Sequence, residues 1–283
     1  MKYHVLYNPK ARSNSGLESA KNVAKHLEGA EIEYDDMTAV SDFDEYVRAV
    51  PADEKILLVG GDGTLNYYIN HTSEETRQRP LSFYAGGTGN DFLNDLGLEH
   101  EQVIEDISKY LVKLPTVTVK CKKYLFLNGV GFGIDGYCCE KGDEERAKSD
   151  KPVDYTSIAI KGILFHFKHR TATVTVDGRT EVFKNCWLAP TMKGKCYGGG
   201  MFPTPAQDRL DPAGTVSVMT YCCKTALKAL IVFPSIFKGE HIKNEKVVKI
   251  MSGKDITVSF DKPCALQIDG ETIKDVTEYR VTV

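Results

Sequence analysis

The strongest constraint on this chain is a pattern that occurs twice, KILLVGGDGT at residues 55–64 and LSFYAGGTGNDF at residues 81–92. In each, a short apolar run leads into a glycine turn and then into a helical pattern, which reads as strand, turn and helix. On neighbouring strands of a parallel sheet, two such turns converge beyond the strand carboxyl ends, where backbone N–H groups and helix N-termini favour an anion. Glycine explains the turn but not Asp62 within it. An aspartate would repel bare phosphate, so it makes chemical sense where a magnesium ion or a proton-bearing hydroxyl lies between them. Helix N-capping is the alternative for Asp62. Thr64 offers a hydroxyl to phosphate, and Asp91 repeats the acidic position in the second turn.

Around these turns the first hundred residues alternate apolar runs and amphipathic stretches, the pattern of βα units. KYHVLY, EIEYDDMT, KILLVG and LSFYA read as strands. SGLESAKNVAKHLEG reads as a helix with Ser15 as cap and Leu17, Ala20, Val23, Ala24 and Leu27 on its buried face. SDFDEYVRAV reads as a helix opened by Ser41, and EHEQVIEDISKYLVK as another before Pro115. The texture then changes to short strands, from Val117 through YRVTV, interrupted by TALKALIVFPSIFKG as the clearest helix and by a charged loop, CEKGDEERAKSDKP. The expected fold is an α/β N-terminal domain with an open, mostly parallel sheet over residues 1–115, followed by a β-sandwich C-terminal domain over residues 116–283.

Composition narrows the function. The 283 residues carry a formal charge of −3, which argues against general nucleic-acid binding and confines any membrane contact to a local patch. No apolar run approaches the roughly 18 residues of a membrane span, and MKYHVLYNPK reads as a strand, not a signal peptide. The expectation is a cytoplasmic protein. The eight cysteines lack CxxC spacing, so neither zinc nor disulfides are expected.

GGDGTLN, GGTGNDF, the early NPKARSNSG, the later NGVGFGIDG, the YGGGM run and the late DGE appear in the order in which they occur in the bacterial diacylglycerol kinase and sphingosine kinase family, which this chain resembles from Asn8 to Glu271. The resemblance implies an ATP- and Mg2+-dependent lipid kinase whose first domain binds nucleotide. By motif, Asn8, Ser13, Ser15 and Gly16 would contact the nucleotide. Gly61, Gly63, Thr64, Gly87 and Thr88 would hold its phosphates, and Gly60, Asn90 and Asp91 would complete the cofactor-binding set. Asp62 would act at the magnesium and acceptor end, and Asp269 and Glu271 would be catalytic, with Glu271 as general base. Asp208 and Asp211 lie where relatives have an acidic loop that sometimes holds a second magnesium, and Asp135 in FGID matches a family aspartate. DG is also an ordinary hairpin signal, so the structural reading of residues 269–270 stands beside the catalytic one. Where relatives carry a glutamate three residues past GGDGT, this chain has Tyr67, which has no carboxylate.

The expected acceptor is a lipid hydroxyl, first of all diacylglycerol, met at the membrane surface. Other acceptors, a silent nucleotide-binding protein and an NAD kinase are the competing readings, and a homodimer is compatible with the sequence. IAIKGILFHFKHR, residues 158–170, mixes apolar residues with cations. As a helix it would set Ile160, Ile163, Leu164 and Phe167 on one side with Lys161 and Lys168 nearer a lipid interface, or pack that side on the β domain.

Overall fold

The computed structural model describes residues 1–9, 11, 15–86, 90–149 and 153–283. They form two compact units, Met1–Leu114 and Pro115–Val283. The Ser13, Gly87 and Thr88 positions lie outside the described residues.

In the first unit, β1 (Lys2–Tyr7), α1 (Gly16–Val23), β2 (Glu31–Asp36), α2 (Phe43–Ala49), β3 (Lys55–Gly60), α3 (Asp62–Asn70), α4 (Glu74–Arg77), β4 (Ser82–Ala85), α5 (Asp91–Leu96) and β5 (Val103–Ile104) follow in order. The sheet order is β2-β1-β3-β4-β5, with β1 to β4 parallel and β5 antiparallel to β4. The central runs are buried without alternation, Ile56 to Val59 in β3 being the clearest, as a strand covered on both faces requires. Ala20 and Val23 of α1 join the core of Val5, Leu57 and Val59.

Three local expectations are corrected. Leu17 is exposed, not buried with Ala20 and Val23. The cap of α2 is Asp42, whose side chain accepts from Glu45 N at 2.9 Å, one residue after Ser41. The stretch 99–113 is not one helix. Val103 and Ile104 pair with Tyr84 and Phe83, and Asp106 Oδ1 accepts from both Leu81 N and Ser108 N. Extending the sheet outweighs the local helical pattern there.

The second unit contains β6 (Thr116–Val119), β7 (Lys122–Leu125), β8 (Gly129–Phe132), α6 (Ile134–Arg146), α7 (Tyr155–Lys161), β9 (Arg170–Val176), β10 (Arg179–Leu188), β11 (Thr191–Met192), β12 (Val216–Cys222), α8 (Ala226–Val232), β13 (Val248–Gly253), β14 (Asp255–Ile268) and β15 (Glu271–Thr282). Its sheet runs β7-β6-β15-β14-β8-β11-β12-β10-β9, with β13 on β12. Long strand β14 pairs with β9 through residues 256–260 and with β8 through residues 266–268, so the path closes on itself. Phe132 stacks on Phe260 with ring centroids 4.2 Å apart in the main core, and a second core gathers Ile134, Ile163, Phe167, Trp187 and Ala229.

Two expectations change in this unit as well. Residues 140–146 of the charged stretch are not a loop but the end of α6, laced by Lys141–Glu144 and Arg146–Asp143 pairs three residues apart. The segment after α7 continues as a π turn, Gly162–His166, closed by Phe167 N donating to Gly162 O at 2.7 Å. Ile163 and Phe167 therefore point into the core, while Ile160, Leu164 and Phe165 face outward. Among the described residues no helix is long and apolar enough to cross a membrane.

Candidate active site

The carboxyl ends of β3 and β4, which lead into the two glycine motifs, lie side by side. Gly60 pairs with Ala85, and Gly86 N donates to Gly60 O at 3.0 Å. The Asp62 carboxylate links the motifs further. Its Oδ2 accepts from Asp91 N at 2.8 Å and its Oδ1 from Phe92 N at 3.0 Å. Both donors sit in the first turn of α5, where helix N–H groups lack intrahelical acceptors. Asp62 thus caps a helix, but that of the second motif and not its own.

That arrangement fixes a carboxylate at the carboxyl end of the central strand β3. The N-terminus of α3 starts at the same point, with Gly61 as cap. A Cβ on Gly63 would meet open space, so the front of the turn is clear for a ligand. Residues of this kind suit a magnesium–phosphate group: an oriented carboxylate, exposed helix amides and small residues.

Thr64 is placed differently from expectation. It is buried, and its side chain lies so close over Gly60 that a Cβ there would fall 2.2 Å from its hydroxyl. Its hydroxyl therefore belongs to the packing that makes glycine obligatory at position 60. Gly16 shows the same close approach, since a Cβ there would lie 1.8 Å from Asn8 O. This brings the end of β1 and the start of α1 together, and Ser19 Oγ of α1 donates to Gly86 O at 3.5 Å. Ser15 stands at the α1 N-cap position without a side-chain capping bond. Asn90 contacts His100 through Nδ2 and Nδ1 at 2.8 Å, and Asp91 is buried. Tyr67 stacks on His71 at 3.9 Å and meets the edge of Phe43, an aromatic cluster that uses ring area and no acid.

In the second unit, the Asp269–Gly270 turn joins β14 to β15. Both residues have positive φ, +46° and +97°, the conformation a two-residue hairpin favours. The Asp269 carboxylate accepts from Leu127 N at 2.6 Å, Asn128 N at 2.8 Å and Gly129 N at 2.9 Å. Glu271 follows as the exposed first residue of β15, paired across the turn with Ile268. The aspartate therefore pins the hairpin to the 127–129 segment, and the glutamate projects from the pinned tip.

Asn128 connects this network to the acidic loop. Its Oδ1 accepts from Arg209 Nη2 at 2.8 Å, and Arg209 Nη1 also reaches Leu127 O. Reading DRLD for its acids alone overlooked this buried arginine. Asp208 Oδ1 accepts from Leu210 N at 2.9 Å. Asp211 accepts from Ala213 N and from Thr215 N and Oγ1, and the Thr215 hydroxyl holds its carboxyl below the usual range. Beside them, burial and the neighbouring Arg209 lower the Lys193 pKa. The bonds of the loop's acids go to backbone N–H groups and the Thr215 hydroxyl, with Lys193 as a cation near Asp211. Among the described residues no group of three or more metal-ligating side chains is present.

Asp135 joins two further motifs. It is buried at the start of α6, accepts from Tyr197 Oη of the YGGGM run at 3.0 Å and from Gly136 N at 2.8 Å, and leaves no room for a Cβ on Gly131, which would lie 1.6 Å from its Oδ2. Burial pushes its carboxyl up to about 6, with the hydrogen bonds opposing. Because the folded value exceeds the unfolded one, about 3.9, this group's contribution is fully present below pH 4 and is lost as pH rises through 6. Asp135→Asn is expected to remove that slope. Urea unfolding at pH 4 and pH 7 should show wild type losing about 2 kcal/mol more than the variant across the interval; parallel behaviour would refute the buried-acid assignment.

The first unit fixes a carboxylate beside two glycine-ended strands, and the second carries an acid on a pinned hairpin. Residues 2–122 match the diacylglycerol kinase catalytic domain, and residues 128–282 match the YegS C-terminal NAD kinase beta sandwich-like domain. The chain belongs to the diacylglycerol kinase-like family of lipid kinases. A diacylglycerol kinase of Mycobacterium tuberculosis is 24% identical over 204 residues, covering 69% of this chain and 63% of that protein, so the match spans less than two thirds of the relative's length. A crystal structure of a diacylglycerol kinase from Bacillus anthracis superposes with a TM-score of 0.64 at 20% identity, covering 99% of this chain and 93% of the other, a likeness of fold.

Proposed function

We propose that this kinase uses ATP and Mg2+ to phosphorylate a lipid hydroxyl, diacylglycerol being the leading acceptor and phosphatidic acid the product. The observation that carries the reading is the Asp62 carboxylate, just past the end of β3, held by Asp91 N and Phe92 N at the start of α5. Phosphoryl transfer depends mainly on positioning and on neutralising charge at the phosphoryl oxygens. Amides at the α3 N-terminus supply part of that neutralisation, and Asp62 is the residue that would hold the metal. Bound magnesium would neutralise charge on the phosphate oxygens. Glu271 takes the proton of the acceptor hydroxyl in this reading, and Asp269 positions it through the hairpin.

The test is transfer of label from γ-labelled ATP to mixed vesicles holding diacylglycerol, monoacylglycerol, ceramide and sphingosine, with NAD as a further acceptor. Label in phosphatidic acid is the expected result. Faster labelling of NAD or of a sphingoid base would overturn the acceptor assignment. Tyr67 favours a second reading, a chain that binds nucleotide without turnover, because it sets an aromatic cluster where relatives carry an acid. That reading predicts ATP binding with no labelled acceptor.

A further inference from the structure

The second unit carries a cavity of about 360 Å³ that none of the preceding chemistry uses. Its lining includes Lys168, Arg170, Lys224 and Lys262, opposed by Asp261 alone. In a chain of net charge −3, four lysine and arginine side chains around one cavity are a local concentration of positive charge. Asp261 is partly engaged already, since its Oδ1 accepts from Thr171 N at 3.0 Å. Arg170 gives one Nη1 hydrogen bond to Lys168 O and stacks its guanidinium over Phe167 at 5.1 Å. Its buried Nε has no hydrogen-bond partner. A buried donor without an acceptor costs free energy that an anion would recover.

The rim of the same cavity is apolar and exposed. Leu164 and Phe165, turned outward by the π turn, both line it, and Phe165 is 73% exposed. Helix α8, which packs on that turn, begins at the cavity with Ala226 and carries Leu227 and Ile231, 68% and 71% exposed. The inward residues of both elements, Ile163, Phe167, Ala229 and Val232, share one core, so the outer side chains stand on a fixed base. Isolated apolar tips around a cationic pocket suit a fluid interface, in which the tips enter the acyl boundary and the cations meet lipid phosphate.

We propose that this surface docks the protein on an anionic bilayer, with a phospholipid phosphate seated among Lys168, Arg170, Lys224 and Lys262. The inference deepens the lipid-kinase reading and rests on it for the reason that a bilayer is approached at all. It assigns membrane contact to two segments, 162–168 and 224–231, and makes anionic lipid a docking ligand separate from the acceptor. Surface cations near anionic leaflets each strengthen attachment about fivefold.

The test is sedimentation of the full chain, without ATP, with phosphatidylcholine vesicles that do or do not contain phosphatidylglycerol. Binding to the anionic vesicles only, weakened by salt, is the expected result. Lys224→Gln with Lys262→Gln should reduce it tenfold or more, and Leu164→Ser with Phe165→Ser should reduce it comparably. Both variants should phosphorylate a water-dispersed short-chain diacylglycerol as wild type does. Equal binding to neutral vesicles, or binding indifferent to both double variants, would overturn the proposal. So would a concentration-dependent dimer lost on Phe165→Ser, which would make the face an interface between two copies. Absence of label in the short-chain acceptor would instead count against the kinase reading and leave vesicle binding as an independent result.

Discussion

Asp62→Asn is expected to lower turnover roughly a thousandfold, the loss of about 4 kcal/mol of transition-state stabilisation that removing a metal-binding carboxylate can cause. The geometry adds a second expectation. Asparagine keeps one acceptor oxygen but puts an NH2 group where the other stood, so one of the Asp91 and Phe92 amides loses its acceptor. A lost buried acceptor costs about 1–3 kcal/mol, which should appear as a fall of a few degrees in Tm. The two effects separate with temperature. At 10 °C, where the destabilised turn remains folded, the catalytic loss should persist while the folded population is unchanged. An Asn variant with near-normal kcat would refute the role of Asp62 in chemistry. A deficit that disappears on cooling would show that its work is confined to capping α5.

Much of this architecture was legible because it rests on short-range rules. Buried strands such as KILLVG show as uninterrupted apolar runs, and glycine turns at their ends mark where the helices begin. What the sequence concealed were contacts between distant residues. Asp62 reads locally as a cap for the helix that follows it, yet its acceptor oxygens serve α5, about thirty residues away. Arg209 sits in a stretch that reads as an acidic loop, and only the fold brings it to Leu127 and Asn128. Stretch 99–113 has helical periodicity, but β4 offered an unpaired edge that Val103 and Ile104 fill. Segment 158–170 has enough apolar positions for two faces, and the π turn decides which of them are buried. In each case a residue's type announced its chemistry, and its partner depended on topology.

The DGE motif makes the sharpest separation of roles, because two acids separated by a single glycine should fail in opposite ways. Asp269→Ala removes the acceptor of three backbone amides, Leu127, Asn128 and Gly129, and replaces a residue at φ +46° that aspartate and asparagine tolerate better than alanine. A loss of about 3 kcal/mol is expected, with Asp269→Asn intermediate because it retains one acceptor and the left-handed conformation. Glu271 is exposed at the start of β15, so Glu271→Gln should change stability by less than about 0.5 kcal/mol. As general base, however, its loss should reduce kcat by about 10²–10⁴ while leaving ATP affinity unchanged. Denaturant unfolding and steady-state kinetics on the three variants decide the matter. A Glu271→Gln enzyme with wild-type kcat would remove the base from the mechanism, and an Asp269→Ala protein as stable as wild type would show that the hairpin holds without its carboxylate.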